Sequence, residues 1–167
     1  MNNLLPRGFR FVAVESVVAV LVSSVIAPGH ASNDQPALNG TYIARSDGQW
    51  AKTNQRFHDE ATVSSTWTIV SSCADIFDCS GQVTSDAGWN SGAIYRSGMW
   101  FVTHTVDNWE KCEDGSTAPG KQIYKFYPDP NGTSALLGWD TTTAPSGACG
   151  RSRPLEIEMP FKLTPKD

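Results

Sequence analysis

No run of basic residues occurs anywhere in the chain, and only 18% of its 167 residues are charged. Lys and Arg number 13 against 17 Asp and Glu, so the formal charge is −4 and a nucleic-acid-binding face is not expected. No segment carries a clear helical period, which leaves no amphipathic helix from which to build a helical core. Gly-x-Ser-x-Gly is missing, as are any Cys-x-x-Cys pair and a glycine-rich loop leading a strand into a helix. These gaps remove the usual sequence signs of an acyl-transfer nucleophile, a zinc or dithiol site and a phosphate cradle. Disorder is excluded as well, because 40% of the residues are hydrophobic and six are Trp.

What is present begins with an export signal. Arg7 and Arg10 are the only cations before Arg45, and Phe11 to Ile26 is apolar or small apart from Glu15. Gly29-His30-Ala31 has the small-x-small form that a signal peptidase reads. Residues 1–31 are expected to be a cleaved signal peptide and 32–39 a polar lead-in, with one β-domain over 40–167. The alternative is an uncleaved anchor, but the apolar run after Glu15 is short of the roughly 20 residues a spanning helix needs. No Cys follows the cleavage point, which argues against lipid anchoring. Loss of Arg7, Arg10 and Glu15 with the leader takes the formal charge from −4 to −5. The mature protein is expected to be acidic and secreted or cell-wall associated, with no stable membrane span.

Cys73, Cys79, Cys112 and Cys149 all lie in the mature part. An even count in an exported chain reads as disulfides. Of the three pairings, Cys73–Cys79 and Cys112–Cys149 are preferred: the first brackets a hairpin-like loop, and the second joins two loops rich in Gly, Pro and Ser.

The rest of the chain reads as strands and turns. Thr41 to Arg45 is a short strand, Gln49 to Lys52 pairs back or starts a loop, and charged Arg56 to Glu60 reads as a helical turn or loop. Ala61 to Ser72 sets Val63, Ser65, Trp67 and Ile69 on one face and Thr on the other. Ser80 to Asp86 returns, and Ala93 to Arg96 with Met99 to Asp107 makes a tight hairpin. Residues 108–120 read as a loop, followed by strands Gln122 to Tyr127 and Ser134 to Thr142. The last strand alternates Leu155, Ile157, Met159, Phe161 and Leu163 with polar residues. Pro160 cannot donate to a ladder, so a free edge or bulge is expected there. The fold class is all-β: an antiparallel meander of about eight strands, closed as an up-and-down barrel, or alternatively stacked as a β-sandwich.

Leu38-Asn-Gly-Thr-Tyr, Asp47-Gly-Gln-Trp, the run from His58 to Val63, Ser65-Thr-Trp-Thr-Ile and the flanking cysteines carry a family resemblance. So do Gly98-Met-Trp and Asn108-Trp-Glu-Lys-Cys. Over residues 38–150 the sequence resembles small exported proteins of actinobacteria, mycobacteria especially. That resemblance implies export and a β-rich fold and transfers no catalytic residue. A slighter likeness to lipocalin- and avidin-type barrels rests on Gly40-Thr-Tyr and on Ala135-Leu-Leu-Gly-Trp, and it bears on architecture only.

Trp67, Trp100 and Trp139 alternate with apolar neighbours on faces that read as inward, and His104 shares the face of Trp100, Val102 and Val106. They are core, or they line a pocket, since an eight-stranded barrel can hold one small ligand. Trp50, Trp89 and Trp109 sit in turns and are candidates for gripping glycan. His58-Asp59-Glu60 reads as a solvated turn rather than a metal site, because neighbours on a strand point opposite ways. Glu156 and Glu158 read as surface charges rather than an acid/base pair. The expectation is therefore a secreted barrel binding a small apolar or amphipathic ligand through Trp67, Trp100, His104 and Trp139. The alternatives are a cell-wall interaction protein using Trp50, Trp89 and Trp109, and a hydrolase using His58 or His104. Catalytic residues, metal and cofactor are expected to be none.

Overall fold

The computed structural model describes residues 36–166, so the signal-peptide and cleavage expectations lie outside the described residues. Eight antiparallel strands close into a barrel, and a small hairpin sits against one of them. The strands are β1 (Gly40–Ser46), β4 (Val63–Cys73), β5 (Cys79–Ser85), β6 (Asn90–Arg96), β7 (Met99–Lys111), β8 (Thr117–Pro128), β9 (Leu136–Thr143) and β10 (Glu156–Pro165). The hairpin is β2 (Lys52–Thr53) and β3 (Arg56–Phe57). Each barrel strand pairs with the next in sequence, and β1 closes the ring on β10 from Tyr42 opposite Pro165 to Ser46 opposite Phe161. Closure removes the open edges that a sandwich would keep, so the barrel reading stands and the sandwich falls.

Alternation drives the closure. Trp67 and Ile69 of β4 are buried with Val83 of β5, Trp100 and Val102 of β7, Phe126 of β8, and Phe161 and Leu163 of β10. Trp67 lies at the centre of this core. Its ring meets Tyr124 edge-on at 4.8 Å, Phe161 at 5.4 Å and Phe126 at 6.3 Å. Such pairs add about 0.5–1.5 kcal/mol each beyond the area they bury. The aromatic core fills one end of the barrel, where Trp100 Nε1 also donates to the Pro36 carbonyl at 3.0 Å.

Two departures from the sequence reading matter for the site. Residues 108–120 are not a long loop. β7 runs on to Lys111 and β8 starts at Thr117, with a bulge in which residues 107–109 face one residue of β8. Asn108 sits in the left-handed region at φ 53°, which lets the strand bend and continue. Arg56 to Glu60 is likewise no helical turn. β2 and β3 form a two-residue hairpin through Asn54 (φ 49°) and Gln55 (φ 72°), the left-handed pair a type I′ turn requires. Pro160 falls where β1 has ended and β2 has begun, and its carbonyl accepts from Asp47 N–H at 2.8 Å. The missing N–H is therefore placed where no strand asks for it, as the free-edge expectation required.

Both disulfides form as preferred. Cys73–Cys79 joins opposite residues of β4 and β5 at the filled end. Cys112–Cys149 ties the β7–β8 turn to the 144–155 loop at the other end. Disulfides persist in oxidising compartments, consistent with export. Among the described residues no helix is long and apolar enough to cross a membrane.

Candidate binding cup

The end of the barrel opposite the core is not filled. A cavity of about 390 Å³ opens there, walled by the starts of β4, β8 and β10, the ends of β7 and β9, and the turn between β5 and β6. Val63 and Ser65, Trp89, His104 and Val106, Trp109, Gln122 and Tyr124, and Ile157 and Met159 all line it. Its wall is largely apolar, and Trp89, His104, Trp109 and Tyr124 add rings to it. Trp89 stacks on His104 with centroids 4.1 Å apart and planes 14° apart, and both rings lie nearly parallel to Tyr124 at 6.2 Å. Trp67 closes the floor, edge-on to Trp89 at 5.2 Å.

Trp109 reaches the cup because of the bulge. Inward parity along β7 runs through Trp100, Val102, His104 and Val106, and three residues facing one then turn Trp109 inward too. Gly120 makes the space. A Cβ there would stand 2.6 Å from Thr142 Cγ2 and 2.7 Å from Trp109 Cδ2, closer than packed atoms allow.

Beneath the apolar lining runs a polar chain. Asp140, 1% exposed, accepts from Ser46 Oγ at 2.6 Å and from Gln122 Nε2 at 2.7 Å. Burial pushes its carboxyl above the ordinary carboxylate range, and the two donors only partly offset that. Tyr124, opposite Asp140 across the ladder, is pushed up by burial first and by the Asp140 charge second. Gln122 stands opposite His104. Burial lowers the His104 pKa from 6.5, against opposing hydrogen bonds, so the ring is held neutral further into acid. Its Nδ1 lies 3.2 Å from the Thr105 carbonyl, and its buried Nε2 has no partner. Beside Trp109 in β7, the carboxylate of buried Glu110 has no hydrogen bond. The Arg151 guanidinium approaches its Oε1 to 3.4 Å without hydrogen-bond alignment.

The expected site residues separate. Of Trp67, Trp100, His104 and Trp139, only His104 lines the cup. Trp67 is the floor beneath it, and Trp100 is core at the filled end. Trp139 is corrected outright: it is 42% exposed on the outer surface. Inward parity on β9 runs Leu136, Gly138, Asp140 and Thr142, and a glycine on that face hides the alternation. A Cβ at Gly138 would run into the Lys125 carbonyl oxygen, so the residue type is set by the closeness of β8 rather than by burial of a side chain. Trp50, Trp89 and Trp109 do not share a face as a glycan platform. Trp89 and Trp109 fold into the cup, and only Trp50 stays outside, 63% exposed. His58 Nδ1 lies 3.1 Å from Glu60 Oε1, with His58 and Asp59 exposed. Among the described residues no group of three or more His, Cys, Asp or Glu side chains is placed to hold a metal.

Sequence reasoning passed over Gln122, Asp140 and Glu110. Asp140 carried a signal, since inward parity through Gly138 would have placed it inside. Asn108 carried another, because Asn is the ordinary non-glycine choice at positive φ and marks a bulge.

No protein-family model matches the chain, and no curated protein matches it. Among solved structures it is similar to the monomer form of the M. tuberculosis PknI sensor domain. That likeness has a TM-score of 0.58 and 17% identity, over 78% of this chain and 88% of that one. At such identity it shows the fold alone.

Proposed function

We propose that the open barrel end binds one small, flat, mostly apolar molecule with a polar edge, and that the protein is a binding or sensing module rather than an enzyme. The observation that carries this reading is the aromatic cup of about 390 Å³ left open above a fully packed core. Its volume lies within the ~300–1,000 Å³ usual for small-molecule sites, and eight-stranded barrels of the lipocalin kind hold one ligand in such a mouth. Trp89 and His104 are stacked on each other, which leaves the outer face of the pair for a flat ligand. Gln122, held to Asp140 through its amide nitrogen, brings a polar side chain to the lining for a polar edge. The structural neighbour is described as a sensor domain, and a sensing role for this chain is part of the proposal.

A fluorescence titration with 1-anilinonaphthalene-8-sulfonate, a planar apolar probe with a polar edge, tests the reading. One saturable site is expected, with affinity falling about tenfold in Trp89→Ala, since the lost stack and buried area come to about 1.4 kcal/mol or more. No saturable binding, or binding unchanged in Trp89→Ala, would overturn it.

A further inference from the structure

The outer wall of the barrel carries a second cluster of aromatic rings, distant in kind from the cup. Trp50 is 63% exposed, Phe57 73% and Trp139 42%. With Pro160 they line a groove of about 240 Å³, and Tyr127 flanks Trp139 with ring centroids 6.0 Å apart. Exposed rings of this size gathered in one place on a small domain ask for an occupant.

The backbone beneath Phe57 is anchored. The hairpin that carries Phe57 is pinned to β10: Asn54 N–H donates to the Glu156 carbonyl at 2.8 Å, and Gln55 Nε2 donates to Glu156 Oε1 at 2.8 Å. Glu156 N–H returns a bond to Asn54 Oδ1 at 3.1 Å. A hairpin backbone fixed in advance loses little freedom on binding.

Within the groove lies an ion pair. Lys52 Nζ is 3.8 Å from Glu158 Oε1, with the two side chains 41% and 34% exposed, and Nζ also sits 5.5 Å over the Phe57 ring. Exposed pairs of this kind stabilise a fold little. The pair does decide between occupants. A flat, wholly apolar partner would bury both charges without replacing their water, which is unfavourable. A saccharide would not. Its C–H face lies on the rings, while its hydroxyls accept from Nζ and donate to the carboxylate. The two charges cancel, which suits a neutral sugar.

We infer that Trp50, Phe57 and Trp139, with Lys52 and Glu158 between them, form a binding site for a neutral polysaccharide. The groove is smaller than a usual small-molecule pocket, so it takes the chain one ring at a time along the barrel wall. The site is separate from the cup and does not depend on it.

The test is retention of the purified secreted protein on chitin, cellulose and starch granules, with sedimentation velocity run alongside. Retention on at least one is expected, falling at least tenfold in Trp50→Ala and in Trp139→Ala and restored by Trp139→Phe. Trp89→Ala, which alters the cup, should leave retention unchanged. Retention on none of the three would overturn the inference, as would retention indifferent to Trp50 and Trp139. A dimer that Trp139→Ala dissociates would overturn it too, by making the face a self-association surface. Both alanine variants remove exposed side chains, so unchanged melting temperatures will show that they fold.

Discussion

Gly120→Ala puts the shape of the cup under direct test. The added Cβ would meet Thr142 Cγ2 at 2.6 Å, Trp109 Cδ2 at 2.7 Å and Trp109 Cε3 at 2.9 Å. None of these separations is sustainable, so the Trp109 ring must move or the β8 and β9 backbones must part. Overpacking of one methyl group typically destabilises by about 1–3 kcal/mol. For a domain of this size that corresponds to a melting temperature lower by roughly 4–12 °C. The decisive form is a double-mutant cycle in urea. Trp109→Ala alone loses the buried ring, but in the Gly120→Ala background it also relieves the overlap. The pair should therefore be less destabilised than the sum of the singles by about 1 kcal/mol or more. Thr142→Ser, which removes Cγ2, should give a smaller relief of the same sign. If Gly120→Ala and Trp109→Ala add to within about 0.5 kcal/mol, Trp109 does not lie over Gly120 and the bulge has been misplaced.

Asp140→Asn should flatten one part of the pH dependence. The folded carboxyl titrates above 3.8 because it is buried, so its contribution is fully present below the unfolded value and is lost as pH rises through the folded one. The melting temperature of Asp140→Asn should therefore gain on that of the wild type from about pH 4 upward; a constant offset would mean that Asp140 is solvated. On the chain-entropy model, Cys112→Ser with Cys149→Ser opens the loop that the disulfide closes over a separation of 37 and should destabilise by about 4 kcal/mol. The equivalent change at Cys73 and Cys79, separated by 6, should cost about 2 kcal/mol, and equal midpoint shifts in denaturant would contradict the ranking.

The architecture was legible where side chains alternate without interruption. Val63 to Ile69 and Ile157 to Leu163 declare their inner faces residue by residue, and short links between strands left a meander as the natural topology. The disulfide pairing was legible from the loops it joins. The cup was only partly so, for local reasons. Gly138 occupies an inward position without a side chain, which hides the inner face of β9, makes Trp139 read as inside and leaves Asp140 unnoticed. The bulge at Asn108 changes the face of Trp109 in a way no period-two pattern records. Trp89 follows Gly88 in a turn and folds back over the mouth, a placement set by the rings of Trp67 and His104 across the barrel. His104 was legible as a pocket residue because β7 keeps its alternation up to Val106.

Whether the barrel mouth carries a small molecule is answered most directly by native mass spectrometry of the protein secreted by an actinobacterial host, set against the same sample denatured. An added mass in the native spectrum, lost on denaturation and diminished in Trp89→Ala, is expected. A native mass equal to the denatured mass, with no uptake of the naphthalene probe by the same sample, would contradict it.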